Sequence, residues 1–190
     1  MDMEFVLLIV GLTLLLILGL WILVPSFYGL PWVPTREKRI RKALQLANLQ
    51  SGETLYDLGA GDGRILLVAA KEFGAQAVGI EIGPVQCLLG WLKIWLSGNR
   101  RRVRMRCGDF FNSDISAADV VFVYATSSQT SRLPPLLERQ LKPGARVVSV
   151  AADFPDWQPT IVDRELLIFV YEMPPKRVIE SVPFSSDEWE

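Results

Sequence analysis

The stretch from Thr54 to Ile82, TLYDLGAGDGRILLVAAKEFGAQAVGIEI, constrains the fold of this chain more than any other. Leu55, Tyr56 and Leu58 make a short apolar run that stops at Gly59-Ala60-Gly61-Asp62-Gly63. From Arg64 to Phe73 the apolar residues Ile65, Leu66, Val68, Ala69 and Phe73 recur at helical spacing. Ala77-Val78-Gly79-Ile80 reads as a second buried strand, closed by Glu81. Strand, glycine turn, helix and strand together make a parallel βαβ unit, which sets a tight turn where a ligand's polar groups can meet bare backbone N–H groups. Glu81 lies roughly 20 residues beyond the turn, where a carboxylate accepts from ribose hydroxyls. The unit is predicted to bind a nucleoside.

A dinucleotide-binding turn runs G-x-G-x-x-G, its third glycine allowing close helix–strand packing. Here the spacing is G-x-G-x-G, Arg64 stands at the third-glycine position, and Asp57 precedes the turn. A carboxylate there repels a pyrophosphate and suits an ammonium or sulfonium cation. That combination resembles motif I of the class I (seven-strand) S-adenosylmethionine-dependent methyltransferases. The resemblance implies that Asp57 faces the methionine amino group and that Gly59, Ala60, Gly61 and Gly63 let the cofactor lie against the turn. It also implies that Glu81, followed by Ile82, holds the ribose. In the same pattern Asp109, within Gly108-Asp109-Phe110, meets the adenine amino group while the backbone of Phe110 meets a ring nitrogen. A carboxylate accepts from an exocyclic amine and so selects adenine over a base carrying a carbonyl there.

The 190 residues suffice for one core plus an appendage. A net charge of −1 gives no global case for nucleic acid, and none is expected as a partner. The chain has no histidine, which removes His-based triads and His general bases, and no metal site is expected. Cys87 and Cys107 read as two buried thiols in a reducing compartment rather than a disulfide framework.

The appendage is Phe5 to Val24, an uncharged run of 20 residues, long enough to span a bilayer core. Asp2 and Glu4 precede it where a cleaved leader would carry basic residues, so residues 1–24 read as a retained anchor in contact with lipid. Arg36, Lys38, Arg39, Arg41 and Lys42 follow it and place the catalytic part on the cytoplasmic side of a single-pass protein. Trp21, Phe27, Tyr28 and Trp32 fit an interfacial aromatic belt. Residues 25–34 form a proline-bearing linker, 35–172 the catalytic domain and 173–190 a loosely ordered tail. A helix begins at Thr35 as N-cap; its basic face is either a solvated helix face or a juxtamembrane patch on anionic lipid, and the neighbouring span favours lipid.

Beyond Glu81 a helix over Val85–Trp95 is expected to use Trp91 and Trp95 for packing. In Arg102 to Cys107, arginines alternate with Val103, Met105 and Cys107, the period of a strand with one polar face. Two readings stand: a phosphate-binding ribbon, or an edge strand guarded by charge. Asp119 to Tyr124 is a buried fourth strand, and Ala125-Thr126-Ser127-Ser128 follow it at the carboxyl end of the sheet, where open α/β folds bind ligands. The Asn/Asp-Pro-Pro-Tyr/Phe element common at this point of the family is missing, which weighs against amide, adenine or glutamine substrates. After Lys142-Pro143-Gly144 comes a fifth strand, then Asp153-Phe154-Pro155-Asp156-Trp157-Gln158-Pro159 without helical period, then a closing hairpin. The expected fold is α/β, a Rossmann-like, mostly parallel seven-stranded sheet with helices on both faces and an antiparallel C-terminal hairpin, preceded by one transmembrane helix.

The apolar leader, the proline linker, DLGAGDGR, Gly108-Asp109-Phe110-Phe111 and the F-P-x-W-x-P segment together resemble one membrane-anchored branch of the family. That branch holds mitochondrial lysine methyltransferases of the adenine nucleotide translocase and of the ATP synthase c-subunit, with prokaryotic relatives. The resemblance implies a protein-lysine substrate near the membrane. A small lipophilic acceptor, such as a quinone or lipid, suits the anchor equally, and a nicotinamide-dependent oxidoreductase is disfavoured by Asp57 and Arg64. Tyr124 and Asp153 are the candidate catalytic residues, Tyr124 positioning the acceptor and Asp153 or Trp157 walling its channel.

Overall fold

A computed structural model describes residues 2–27, 35–124 and 130–178, with the backbone alone for 21–27. Helix α1 spans Met3–Phe27, and α2 spans Glu37–Leu46. The βαβ unit follows as β1 (Thr54–Leu58), α3 (Arg64–Glu72) and β2 (Gln76–Glu81). Next come α4 (Pro84–Leu96), β3 (Val103–Cys107), a 3-10 turn at Phe110–Asn112, β4 (Val120–Tyr124), α5 (Leu133–Gln140) and β5 (Arg146–Val150). The chain closes with β6 (Trp157–Gln158), β7 (Ile161–Asp163), β8 (Ile168–Glu172) and β9 (Lys176–Arg177).

Seven strands form one sheet in the order β3-β2-β1-β4-β5-β8-β7. The first five pair in parallel, whereas β8 runs antiparallel to both β5 and β7. Side chains alternate between faces along each strand. On β4, Val120 and Phe122 join the core beneath α2 and α3, while Val121 and Val123 join the core beneath α5. Helices therefore cover both faces, as the hydrophobic runs require. The F-P-x-W-x-P segment lacks a helix, and its Trp157 and Gln158 pair with β9 instead.

Several local expectations are corrected. Trp95, 57% exposed, does not pack inward, and Trp91 does so only in part: it is 49% exposed while its Nε1 donates to the Met105 carbonyl at 3.1 Å, because Gln86, Gly90 and Ile94 form the buried face of α4. The cysteines are not two buried thiols. Cys87 is buried, Cys107 is exposed, and the two form a disulfide across 6.0 Å between Cα atoms. Arg36 rather than Thr35 occupies the N-cap of α2, without a side-chain cap bond. Part of that helix's basic face is engaged within the protein: Arg39 donates to the carbonyls of Leu166 and Leu167, and Arg41 pairs with Glu37 and Glu72. Helix α1 runs through Pro25 to Phe27. The tail starts in order rather than loosely, for Met173 is buried and β9 pairs with β6. The remaining linker, the aromatic-belt side chains and residues 125–129 and 179–190 lie outside the described residues.

Candidate active site

Parallel strands bring their carboxyl ends to one edge, and the register fixes what meets there. Leu58 pairs with Ile80 and with Val123, so Gly59 leaves β1 between Glu81 and Tyr124. Glu81 pairs with Cys107, which sets Ile82 beside Gly108. The chain reverses its direction of sheet growth at β1, so this edge is the switch point where open α/β folds bind ligands. A cavity of about 110 Å³ opens here, lined by Gly59, Glu81, Ile82, Asp109, Phe110, Phe111 and Arg132. The structure thus gathers five of the residues singled out from sequence around one space. Arg132 was not among them; it stands eight residues beyond β4, and its guanidinium lies 4.4 Å from the centre of the Phe111 ring.

The glycine turn differs from expectation in one respect. Its N–H groups are not bare: Gly59 and Ala60 donate to Ile80, Gly63 donates to Ala60, and Gly61 donates to the Glu81 carboxylate at 2.7 Å. The opening comes from the absence of side chains instead. Gly59 adopts φ +90°, and a Cβ built there would meet no atom within 4 Å. Gly63, at φ +74°, turns the chain into α3.

Three carboxylates crowd the turn, and their surroundings separate them. Asp57 is 1% exposed, and its Oδ2 has no hydrogen-bond partner among the described residues. Burial, and then the negative charges of Glu81 and Asp62, push its carboxyl well above the ordinary carboxylate range. Glu81 is raised by burial as well, against the N–H groups of Gly83, Gly61 and Ile82 that favour its charged form. Burial also disfavours charge on Asp62, yet Arg64 at 2.7 Å and Lys93 overcome it and draw that carboxyl down to about 2. Asp62 was not foreseen, since its partners Arg64 and Lys93 come from two different helices. Neither was Gln86, whose buried amide is unpartnered in the described residues; the one available signal was a polar side chain at the inward phase of α4.

Asp109 accepts from the Phe111 N–H at 2.9 Å and so caps the 3-10 turn that carries Phe110 into the cavity wall. Tyr124 is half-buried at the end of β4, with the Arg39 guanidinium 5.6 Å from its ring centre. Asp153 is exposed three residues beyond β5. Neither lines the cavity. Trp157 does not wall a channel: it is buried against Phe154 and Tyr171, and its Nε1 donates to Glu138 at 3.0 Å.

The seven-stranded sheet with an open glycine turn and flanking carboxylates is that of an S-adenosylmethionine-dependent methyltransferase. A crystal structure of an RNA methyltransferase from Salinibacter ruber, bound to S-adenosyl-L-homocysteine, superposes with a TM-score of 0.74 at 38% identity, covering 78% of this chain and 98% of that one. Residues 57–161 match the family model described as ANTKMT methyltransferase domain, and the chain belongs to that family. A protein-lysine N-methyltransferase of Saccharolobus islandicus is 41% identical over 68% of this chain and 81% of its own length. The adenine nucleotide translocase lysine N-methyltransferase of Mus musculus is 32% identical over 73% of this chain, a match spanning 60% of the mouse protein. The protein is therefore a methyltransferase whose cofactor is S-adenosylmethionine.

Proposed function

We propose that this chain is a membrane-anchored methyltransferase that transfers a methyl group to a lysine of a protein seated in or beside the same membrane. The observation that carries the site is the convergence of Gly59, Glu81, Ile82, Asp109 and Phe110 on one cavity beside Asp57. These residues suit the cofactor. An ammonium would give Asp57 Oδ2 the partner it lacks, ribose hydroxyls find free lone pairs on Glu81, and an adenine amine finds an acceptor in Asp109. The open space over Gly59 leaves room for the ligand to lie against the turn.

The bound cofactor supplies a methyl group on a positively charged sulfur, so the protein's task is to position a neutral nucleophile in line. A lysine with an ordinary pKa near 10.4 must lose its proton first, which a water-poor approach favours. Tyr124, emerging beside Gly59, is the residue proposed to orient that amine, with Asp153 at the outer rim of the same sheet edge. Support for lysine comes from the names of the archaeal and mouse relatives. Support for the membrane comes from α1, whose Met3–Leu20 segment is long and apolar enough to cross a bilayer and is not buried against the rest of the chain. Support for a cytoplasmic catalytic domain comes from the five basic residues that follow α1.

The test is to add the full chain and radiolabelled S-adenosylmethionine to membranes and cell extract from a strain lacking the gene. Label retained in protein, and located on a lysine by mass spectrometry, is expected. Label confined to the lipid extract would make the acceptor a lipophilic small molecule, and label confined to RNA would give this chain the substrate class named for the Salinibacter enzyme.

A further inference from the structure

Helix α4 is apolar on both sides. Its inner face, Gln86, Cys87, Gly90 and Ile94, packs on the sheet. Its outer face carries Leu88, Trp91, Leu92, Trp95 and Leu96, recurring at i, i+3, i+4, i+7 and i+8, and these are 49–67% exposed. A surface helix of a water-soluble domain is ordinarily polar there. Helix α1 comes close to α4 and yet leaves these side chains open. Charge is equally one-sided. From Pro84 to Cys107 the sequence contains one lysine and five arginines and no acidic residue. Lys93 is engaged with Asp62, and Arg102 donates to the Gly74 carbonyl. Arg104 and Arg106 alternate with inward-facing Val103 and Met105 and guard the edge of β3, which answers to the charged-edge reading. Arg100 and Arg101 remain, both exposed where α4 ends, and Arg100 lies 5.8 Å from the centre of the Trp95 ring.

We propose that the outer face of α4, with Arg100 and Arg101, docks the catalytic domain onto an anionic lipid bilayer at the level of the headgroups. A tryptophan- and leucine-bearing helix face bordered by arginine is the composition that settles in that interface. Arginines close to an anionic surface add electrostatic attraction to the apolar contact. The helix starts at the cofactor cavity, where Glu81 and Ile82 precede α4, and runs away from it to Arg100 and Arg101, beside the start of β3. A bilayer against α4 therefore lies along the flank of the domain, with the start of the helix at the cavity and its arginine-bearing end at the opposite sheet edge. This deepens the proposed function and rests on it for the identity of the acceptor, although the docking face itself is read from α4 alone.

The full chain, reconstituted into vesicles of phosphatidylcholine with and without phosphatidylglycerol, tests this with lipids brominated along their acyl chains as quenchers of tryptophan emission. Part of the quenching should be lost in Trp95→Phe, and that same part should shrink in R100A/R101A and in vesicles lacking phosphatidylglycerol. Turnover on a soluble lysine peptide should stay unchanged in both variants. Trp21→Phe reports the anchor separately. Quenching that falls in Trp21→Phe and is unaltered in Trp95→Phe leaves the anchor standing and overturns the docking face. Quenching absent throughout removes the anchor as well. A full chain that sediments as a dimer in detergent, and becomes a monomer in Leu92→Glu, would assign the face to a second copy and equally overturn the proposal.

Discussion

Asp57 is held in a state that disfavours its own charge. A carboxyl whose folded pKa is raised costs stability wherever the unfolded chain would ionise it, that is, above the ordinary carboxylate range. Asp57→Asn keeps the shape and cannot ionise, so the ligand-free protein should gain stability above the ordinary carboxylate range, read as a rise in melting temperature. The same variant should lose most of the stabilisation that S-adenosylhomocysteine gives the parent. An ammonium favours the charged carboxylate, so binding should release a proton from the parent, and affinity should weaken as pH falls below the raised pKa. Calorimetry in buffers of different ionisation enthalpy reads that proton, and its persistence in Asp57→Asn would assign it to another group. Gly59→Ala places a Cβ in the space over the turn at φ +90°. It should weaken S-adenosylhomocysteine binding at least tenfold, about 1.4 kcal/mol, as measured by the same titration.

The turn and the helices around it hold each other through Asp62. Its folded pKa, about 2, lies below the usual carboxylate value, so its contribution is complete above about pH 4 and is lost as pH falls towards 2. That contribution is about 2 kcal/mol, and Lys93→Met should remove part of it, flattening the acid limb of an unfolding curve. Gly79 on β2 leaves no room for a methyl group, because a Cβ there would stand 2.6 Å from Ala60 Cβ and Leu66 Cδ1. Gly79→Ala should destabilise the protein by about 1–3 kcal/mol, seen in the denaturant midpoint. These two cases mark how far the sequence could be read. Strand and helix order, Asp57 and Glu81 follow from spacing along one chain, where periodicity and turn chemistry act over a few residues. The Asp62 pairing joins α3 to α4, the disulfide joins α4 to β3, and the outward turn of Trp91 and Trp95 depends on which helix face meets the sheet. Such facts live in tertiary packing and leave no local trace. Tyr124 falls between: its place beside Gly59 follows from sheet order, which the βαβ pattern implies, whereas Asp153's distance from the cavity does not.

For the whole molecule, the proposed anchor α1 and the basic residues behind it favour one orientation. A reporter fused after Glu190 should behave as cytoplasmic, open to a membrane-impermeant reagent only once cells are lysed. Protection of the kind shown by an exported domain would reverse the topology. At the far end, β6 and β9 fasten the chain beside Trp157, and Arg177 and Trp157 share Glu138 on α5. The fold is thus tied at its C-terminal flank. One tie reaches further than its size suggests. Asp62 sits in the glycine turn and grips Lys93 on α4, so the outer helix and the loop beneath the ligand share an ion pair. Whatever shifts one end of that pair bears on the other.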